Sequence, residues 1–210
     1  MKIVVLADED SRKEFNAKIT GADTKVTYIE SLAELITNDI DHSSAEAFFL
    51  LKDGINKQHL SIFEGKPVFI NSVTNTLKEL ELPQNFYRIN GWPTFINRNN
   101  WEVANGKDGA INIFEKLQWK YIPVADEPGF VSARIIAMII NEAYFALGED
   151  VSSKDEIDIA MKLGTNYPYG PFEWGKKIGL QKVYDLLRRL NETESRYSIA
   201  PAIKNEVTNL

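Results

Sequence analysis

The first segment that could do chemistry is VVLADEDSRKEF, residues 4–15. A short β-branched strand, followed at once by a turn and an amphipathic stretch, is how a nucleotide-binding βαβ unit begins. In such a unit the turn is rich in glycine, because the backbone has to approach a pyrophosphate closely. Here the turn reads ADEDSR, with three consecutive acids and no glycine. Glu30, 22 residues beyond Asp8, does occupy the place where an acid binds a ribose in a dinucleotide site.

Residue types that carry other kinds of catalysis are scarce. The chain has no cysteine, which excludes disulfides, thiolate nucleophiles and cysteine-ligated metals. Its two histidines, His42 and His59, do not predict a metal site. The formal net charge of −6 argues against nucleic acid or an anionic membrane as the main partner. Since no run is apolar enough for a signal sequence or a membrane span, we expect a cytoplasmic protein.

The framework predicted for residues 1–125 is an α/β domain. Apolar runs of strand length alternate with helical stretches, and this rhythm predicts a mostly parallel sheet with helices on its faces. The predicted strands are 2–7, 25–30, 45–51, 66–72, 85–91, 94–104 and 119–125. The predicted helices are 11–19, 31–38 with Ser31 as its N-cap, and 108–118.

Residues 126–210 predict helices only. The stretch 129–149 is apolar nearly all round, which indicates a buried helix. Ser153 and Glu156 have the spacing of a capping box, and Gly164 is a natural end for the helix that they open. Two more helices are predicted at 170–179 and 180–190, and then a short helix or a frayed tail. The predicted boundary between the two domains follows Ala125.

Four runs after Ala125 form an ordered pattern: DEPGFVSARII, NEAYFALGE, SSKDEIDIAMKLGTNYPYGPFEW and IGL. Their order resembles the C-terminal domain of 3-hydroxyacyl-CoA dehydrogenases. The resemblance implies an all-α domain at 126–210, preceded by an abbreviated Rossmann-like domain at 1–125. It also implies a homodimer formed through the C-terminal helices and, in an active member, NAD-dependent oxidation of a 3-hydroxyacyl-CoA.

The resemblance also implies a catalytic pair. In the family a histidine takes the proton from the 3-hydroxyl of the substrate, and a glutamate twelve residues later holds its other ring nitrogen. RINGWPTFINRNNWEVA resembles that stretch, with Glu102 at the glutamate position and Asn90 at the histidine position. An amide has no basic nitrogen and cannot act as a general base. Glu102 is therefore either a vestige of this pair or a structural acid at a strand edge.

Two other family positions also differ in this chain. The substrate-binding asparagine of the family falls at Ala133, which offers no side-chain hydrogen bond. The three glycines of the cofactor loop fall at Ala7, Glu9 and Arg12. A negative side chain at Glu9 opposes a pyrophosphate both sterically and electrostatically. We therefore expect no cofactor, and Glu30 is the one predicted contact if NAD does bind.

These observations leave three functions open. The favoured one is a 3-hydroxyacyl-CoA dehydrogenase-like protein without NAD binding or catalysis, which keeps a dimeric scaffold for an acyl-CoA-like ligand or a protein partner. The alternative is an active NAD-dependent 3-hydroxyacyl-CoA oxidoreductase with a non-standard site. The third is a purely structural protein. The missing glycines, base and asparagine count against the active enzyme.

Overall fold

The computed structural model describes residues 1–19, 23–37, 40, 42–52, 57–105 and 109–209 of the 210-residue chain. It divides into two compact units, Met1–Phe130 and Val131–Leu210. The first unit is α/β and the second consists of helices, which confirms the predicted fold class. The predicted boundary after Ala125 lies five residues before this division.

A seven-stranded sheet forms the centre of the described part of the first unit. Its strands are β1 (Lys2–Leu6), β2 (Lys25–Ile29), β3 (Ala47–Leu50), β4 (Val68–Asn71), β5 (Phe86–Ile89), β6 (Asn100–Ala104) and β7 (Lys120–Val124). They lie in the order β2-β1-β3-β4-β5-β6-β7. Every neighbouring pair is parallel except β5 and β6, which are antiparallel.

Helices cover both faces of this sheet, so both faces are apolar. The helices are α1 (Glu9–Lys18), α2 (Ala33–Ile36), α3 (Leu77–Leu80) and α4 (Gly109–Leu117), with a 3₁₀ helix at Lys57–Phe63. Successive residues of a strand point to opposite faces. One face therefore buries a cluster rich in aromatic side chains, which includes Phe15, Phe49, Phe69, Trp101 and Trp119. The opposite face buries a second cluster, which includes Val4, Leu6, Phe48, Leu50, Phe63 and Phe86.

The predicted strand 94–104 is wrong over its first half. Residues 93–97 form turns, and β6 begins only at Asn100. Thr94 has a φ of 74°, a left-handed conformation that cannot continue a strand. Its backbone N–H donates to the Glu14 carboxylate of α1 at 2.7 Å, which holds the turn against that helix.

The second unit consists of α5 (Ser132–Gly148), α6 (Lys154–Thr165), α7 (Pro171–Ile178), α8 (Leu180–Asn191) and α9 (Pro201–Thr208), with a 3₁₀ turn at Ser195–Tyr197. The Ser153–Glu156 capping box is confirmed, and α6 continues one residue past Gly164. Within the described residues, no helix combines the length and apolarity needed to cross a membrane.

Buried polar side chains fix the connections between these helices. Asn141 of α5 donates to the Ser198 carbonyl at 2.9 Å and accepts from the Ala200 N–H at 2.9 Å. Asp158 of α6 accepts from the N–H groups of Phe172 and Glu173, at 2.8 and 3.0 Å, and so caps the start of α7. Both side chains satisfy backbone groups that would otherwise be buried without partners.

Gly170 makes the approach of Asp158 possible. A Cβ atom at Gly170 would lie 2.3 Å from Asp158 Cγ, far inside van der Waals contact. By contrast, a Cβ atom at Gly164, near the end of α6, would meet no atom within 4 Å. The Gly-Pro-Phe-Glu run therefore depends on glycine for a packing reason.

We expect Gly170→Ala to lower the free energy of unfolding by about 3 kcal/mol, because the carboxylate cap must move away from α7. The matched control Gly164→Ala should raise it by roughly 0.5–1 kcal/mol, since it adds a good helix former in open space. Urea denaturation of both variants measures the difference. Equal effects of the two substitutions would contradict the proposed role of Gly170.

Candidate functional site

The first turn of α1 lies where a nucleotide-binding unit places its phosphates. Asp8 is the N-cap, and its carboxylate accepts the Ser11 N–H at 2.8 Å. Glu9 and Asp10 follow in the first turn, and the Lys13 ammonium lies 2.9 Å from Glu9 and 3.3 Å from Asp10. Asp8 therefore caps α1, and two further acids occupy its first turn. The helix dipole is compensated by carboxylates of the protein itself.

Glu30, the predicted ribose-binding residue, is exposed just after β2. Its carboxylate lies 3.6 Å from the Arg12 guanidinium, which also lies over the Tyr28 ring at 5.3 Å from the ring centre. The Lys52 ammonium donates to the Glu30 carbonyl at 2.7 Å. Glu30 therefore lies at the carboxyl end of β2, where the positive charge of Arg12 compensates the charge of its carboxylate.

Asn90 lies directly after β5 and is buried. Its side-chain oxygen accepts the Trp92 N–H at 3.4 Å. The neighbouring Asn71, at the end of β4, donates to the Leu51 carbonyl and accepts the Gly91 N–H, both at 3.0 Å. Asn71 therefore ties the ends of β3, β4 and β5 together.

Glu102 lies on β6, which is antiparallel to β5. The register pairs Arg88 with Ala104 and Ile89 with Val103. Asn90 follows the last paired residue of β5, and Glu102 is the neighbour of Val103 on β6. The two sequence-predicted residues therefore lie in the same region of the sheet, beside its antiparallel pair of strands. Burial lowers the pKa of Arg98, and the negative charge of Glu102 opposes this shift.

Arg88 is a buried charge that the sequence analysis did not single out. Its guanidinium has no exposed surface and lies over the Phe130 ring, 4.6 Å from the ring centre. It forms an ion pair with Asp126 and donates to the carbonyls of Ser72 at 2.8 Å and Glu127 at 3.2 Å. The available signal was a single arginine inside the apolar strand FYRI.

Asp126 serves a second purpose besides pairing with Arg88. Its carboxylate accepts the Leu77 N–H at 2.9 Å and the Lys78 N–H at 3.4 Å, at the start of α3. Burial lowers the pKa of Arg88 and the Asp126 carboxylate opposes that shift, so the guanidinium remains charged. Asp126, two residues before the Pro-Gly-Phe run, is therefore the structural ion-pair partner of Arg88.

Other expected site features are placed as follows. Ala133 is fully buried on α5, in the second unit, and it has no polar side-chain atom. Among the residues that the structure describes, no group of three or more acids and histidines could hold a metal ion. The cofactor-loop positions Ala7, Glu9 and Arg12 lie at the start of α1, where Ala7 is buried.

The helical unit matches a known family. A model of the 3-hydroxyacyl-CoA dehydrogenase C-terminal domain matches residues 129–209. The 3-hydroxyadipyl-CoA dehydrogenase of Escherichia coli K12 is 49% identical over 90 residues, which are 42% of this chain and 19% of that protein. The 3-hydroxybutyryl-CoA dehydrogenase of Clostridioides difficile is 40% identical over 102 residues, 48% of this chain and 36% of that protein. Through this domain, the chain is a 3-hydroxyacyl-CoA dehydrogenase-like protein.

The 3-hydroxyacyl-CoA dehydrogenase-like chain spans less than two-fifths of the length of these curated relatives. Its fold, however, is similar to a solved member over its whole length. The (S)-3-hydroxybutyryl-CoA dehydrogenase of Ralstonia eutropha aligns with a TM-score of 0.71 over 99% of this chain and 93% of that one, at 19% identity. The 3-hydroxybutyryl-CoA dehydrogenase of E. coli K12 aligns with a TM-score of 0.57 at 30% identity, over 67% of this chain and 31% of that one.

We expect Arg88→Met to destabilise this 3-hydroxyacyl-CoA dehydrogenase-like protein by about 3 kcal/mol, because it removes the counter-charge of Asp126 and the donor to three backbone carbonyls. The control Lys57→Met breaks an exposed pair with Glu81 and should leave the unfolding midpoint unchanged. Thermal and urea unfolding report both effects. If the unfolding midpoints of the two variants shift by similar small amounts, the ion pair and hydrogen bonds of Arg88 do not stabilise the fold as proposed.

Proposed function

We propose that this 3-hydroxyacyl-CoA dehydrogenase-like protein does not bind NAD and does not transfer hydride. We further propose that it acts as a dimeric scaffold for an acyl-CoA-like ligand or a protein partner. The observation that carries the first proposal is the Asp8 carboxylate at the N-terminus of α1, followed by Glu9 and Asp10. The alternative, an active NAD-dependent oxidoreductase with a non-standard site, is an outcome of the same experiment.

The residues at the start of α1 do not fit a dinucleotide. A pyrophosphate binds a helix N-terminus through free N–H groups, and here the Ser11 N–H already donates to Asp8. A phosphate placed about 4 Å from one of these carboxylates meets a repulsion of roughly 1–4 kcal/mol, depending on screening. Arg12 does not offset it, because its guanidinium lies against Glu30 and Tyr28.

The catalytic pair of the family is incomplete in the same way. Oxidation of a 3-hydroxyl group needs a base for its proton, and Asn90 has no basic nitrogen. The Asn90 oxygen instead accepts the Trp92 N–H in its own loop. The Glu102 carboxylate has no imidazole to orient at that position. Ala133 supplies no hydrogen bond to a substrate oxygen.

An acyl-CoA-like molecule is the ligand class to test first, because the relatives are named for 3-hydroxyadipyl-CoA and 3-hydroxybutyryl-CoA. The residue substitutions remove the base and the cofactor loop, yet the helical unit keeps the family pattern over 129–209. A scaffold that keeps this domain can bind the thioester without oxidising it. If the protein binds no acyl-CoA, the proposed scaffold has a protein as its partner instead.

We predict that NADH at micromolar concentration neither raises the melting temperature nor causes saturable quenching of tryptophan fluorescence. A real site at about 100-fold excess over its dissociation constant would add about 2.7 kcal/mol to the stability. The E. coli 3-hydroxyadipyl-CoA dehydrogenase provides a positive control under the same conditions. A saturable shift with NADH, or NADH formation from 3-hydroxybutyryl-CoA and NAD, would establish the alternative function.

The proposed dimer is supported by apolar side chains exposed on two helices of the second unit. Val131 and Ile135, four residues apart at the start of α5, are 58% and 53% exposed. Ile159 and Leu163, four residues apart on α6, are 53% and 82% exposed. Residues with this spacing share one helix face, and exposed apolar faces of this kind mark protein interfaces. A second copy of the chain is the occupant that we propose for them.

We predict a dimer in light scattering at tens of micromolar protein, and conversion to a monomer by Leu163→Glu. A charge in the apolar centre of a symmetric interface is present twice and would be buried without a partner. Asn205→Glu is the matched control, since it adds the same charge at an exposed position of α9. A wild-type monomer, or a dimer that survives Leu163→Glu, would reject these helices as the interface.

A further inference from the structure

The first unit has a groove of about 490 Å³ that is lined by none of the residues assigned above to the family active site. It lies where the end of α1, the loop before β6 and the turn before β7 come together. Two lysines, Lys18 and Lys120, and the Trp119 indole line it, together with four side-chain amides, Asn97, Asn99, Asn100 and Gln118. Of the described residues that line the groove, none has a carboxylate.

Lys18 is the half-buried cation of this groove. Its ammonium donates to the Arg98 carbonyl and lies 5.0 Å from the centre of the Trp119 ring and 5.7 Å from that of Trp101. The Trp119 N–H donates to the Lys18 carbonyl at 3.2 Å, which fixes the indole beside the amine. In the described part of the chain, no carboxylate pairs with Lys18. Burial, with no acid to offset it, lowers the pKa of Lys18 to about 8.

We infer that this groove binds the oxyanion group of a small organic molecule, a phosphate or a carboxylate, with Lys18 as the charged donor. A partly buried cation without a counter-ion is costly, and a bound anion supplies the missing charge. The amide NH₂ groups of the four neutral side chains supply further donors, and hydrogen bonds from an ammonium to an oxyanion are among the strong ones. The volume suits a small ligand.

The affinity of such a site depends on pH through Lys18. A bound anion favours the ammonium form and raises the pKa of Lys18 above its value of about 8 in the free protein. The affinity for the anion is therefore highest below pH 8 or so, where Lys18 is already charged in the free protein, and falls as the pH rises through about 8. The charged groups on the neighbouring elements are Lys120 of β7, Arg98 before β6 and Glu102 of β6. Burial causes the lowered pKa of Lys18, and none of these charged groups contributes to it.

The experiment titrates the full chain with inorganic phosphate and, separately, with succinate, using tryptophan fluorescence and calorimetry. Trp101 and Trp119 lie against the Lys18 ammonium, so they report its environment directly. A saturable change is expected with at least one probe at about pH 7, and the stronger probe distinguishes a phosphate from a carboxylate ligand. With succinate, whose charge is constant over the range, the affinity should fall about tenfold between about pH 7 and about pH 9.5.

Four variants separate binding from structure. Lys18→Met should weaken binding about tenfold or more, whereas Lys18→Arg should keep it and remove the fall at high pH. Lys13→Met is the control on the same helix, where the exposed lysine pairs with Glu9, and should bind as wild type. Gln118 has a φ of 57°, so Gln118→Gly relieves a left-handed residue while removing one amide. It should stay folded and bind at least about threefold more weakly.

The inference is overturned by any of three results. These are no saturable response to either probe, equal binding by wild type and Lys18→Met, and an affinity that is the same at neutral and high pH. If Lys18→Met does not fold, Lys18→Arg and Gln118→Gly still decide the question. NADH binding tests a different part of the chain, so failure of this site and failure of the proposed function are distinguishable.

Discussion

The buried guanidinium of Arg88 constrains the first unit at several points. A charge with no exposed surface needs acceptors in several directions, and two parts of the chain supply them: the carbonyls directly after β4, and the Asp126 carboxylate with the Glu127 carbonyl after β7. Asp126 in turn accepts N–H groups at the start of α3. Gly129 donates to the Val73 carbonyl at 2.7 Å in the same region. The Asp-Glu-Pro-Gly-Phe run therefore completes the α/β unit, although its sequence pattern belongs to the helical domain.

Much of this architecture could be predicted because local rules and burial agree. The β-branched and aromatic runs became strands, and Ser153 with Glu156 opened a helix as its spacing indicated. The loop after β5 could not be predicted from its sequence, because its residues are apolar and have a high strand propensity. The contact of Thr94 with Glu14, which holds the loop, is set by tertiary packing. Arg88 was missed for a related reason: strand patterns show that a side chain is buried, but not which distant acid pairs with it.

At the family's active-site positions, and at the polar residues beside them, the side chains present here make structural contacts. Asp8 caps α1, and Asn90 accepts the Trp92 N–H, while Asn71 ties Leu51 to Gly91. Each of these bonds satisfies a backbone group near the carboxyl end of a parallel strand, where ligands bind in open α/β sheets. Asn90 and Glu102 are each one residue away from the Ile89–Val103 pair of the antiparallel strands. A scaffold can thus keep the positions of a catalytic pair while its side chains stabilise loops, which is the physical basis for proposing a loss of chemistry.

The two ends of α1 have opposite electrostatic characters, and this bears on where an anion can bind. Glu9 and Asp10 lie at its N-terminus and Lys18 at its C-terminus, which is the arrangement that the helix dipole favours. Ten helical residues separate the two ends by about 13–15 Å, farther than the screening length of about 8 Å at physiological salt. The acidic turn therefore repels a phosphate locally without neutralising Lys18. The C-terminal end of the helix dipole disfavours an anion by itself, so the anion that we propose at this end depends on the Lys18 charge, beside the indole rings of Trp101 and Trp119.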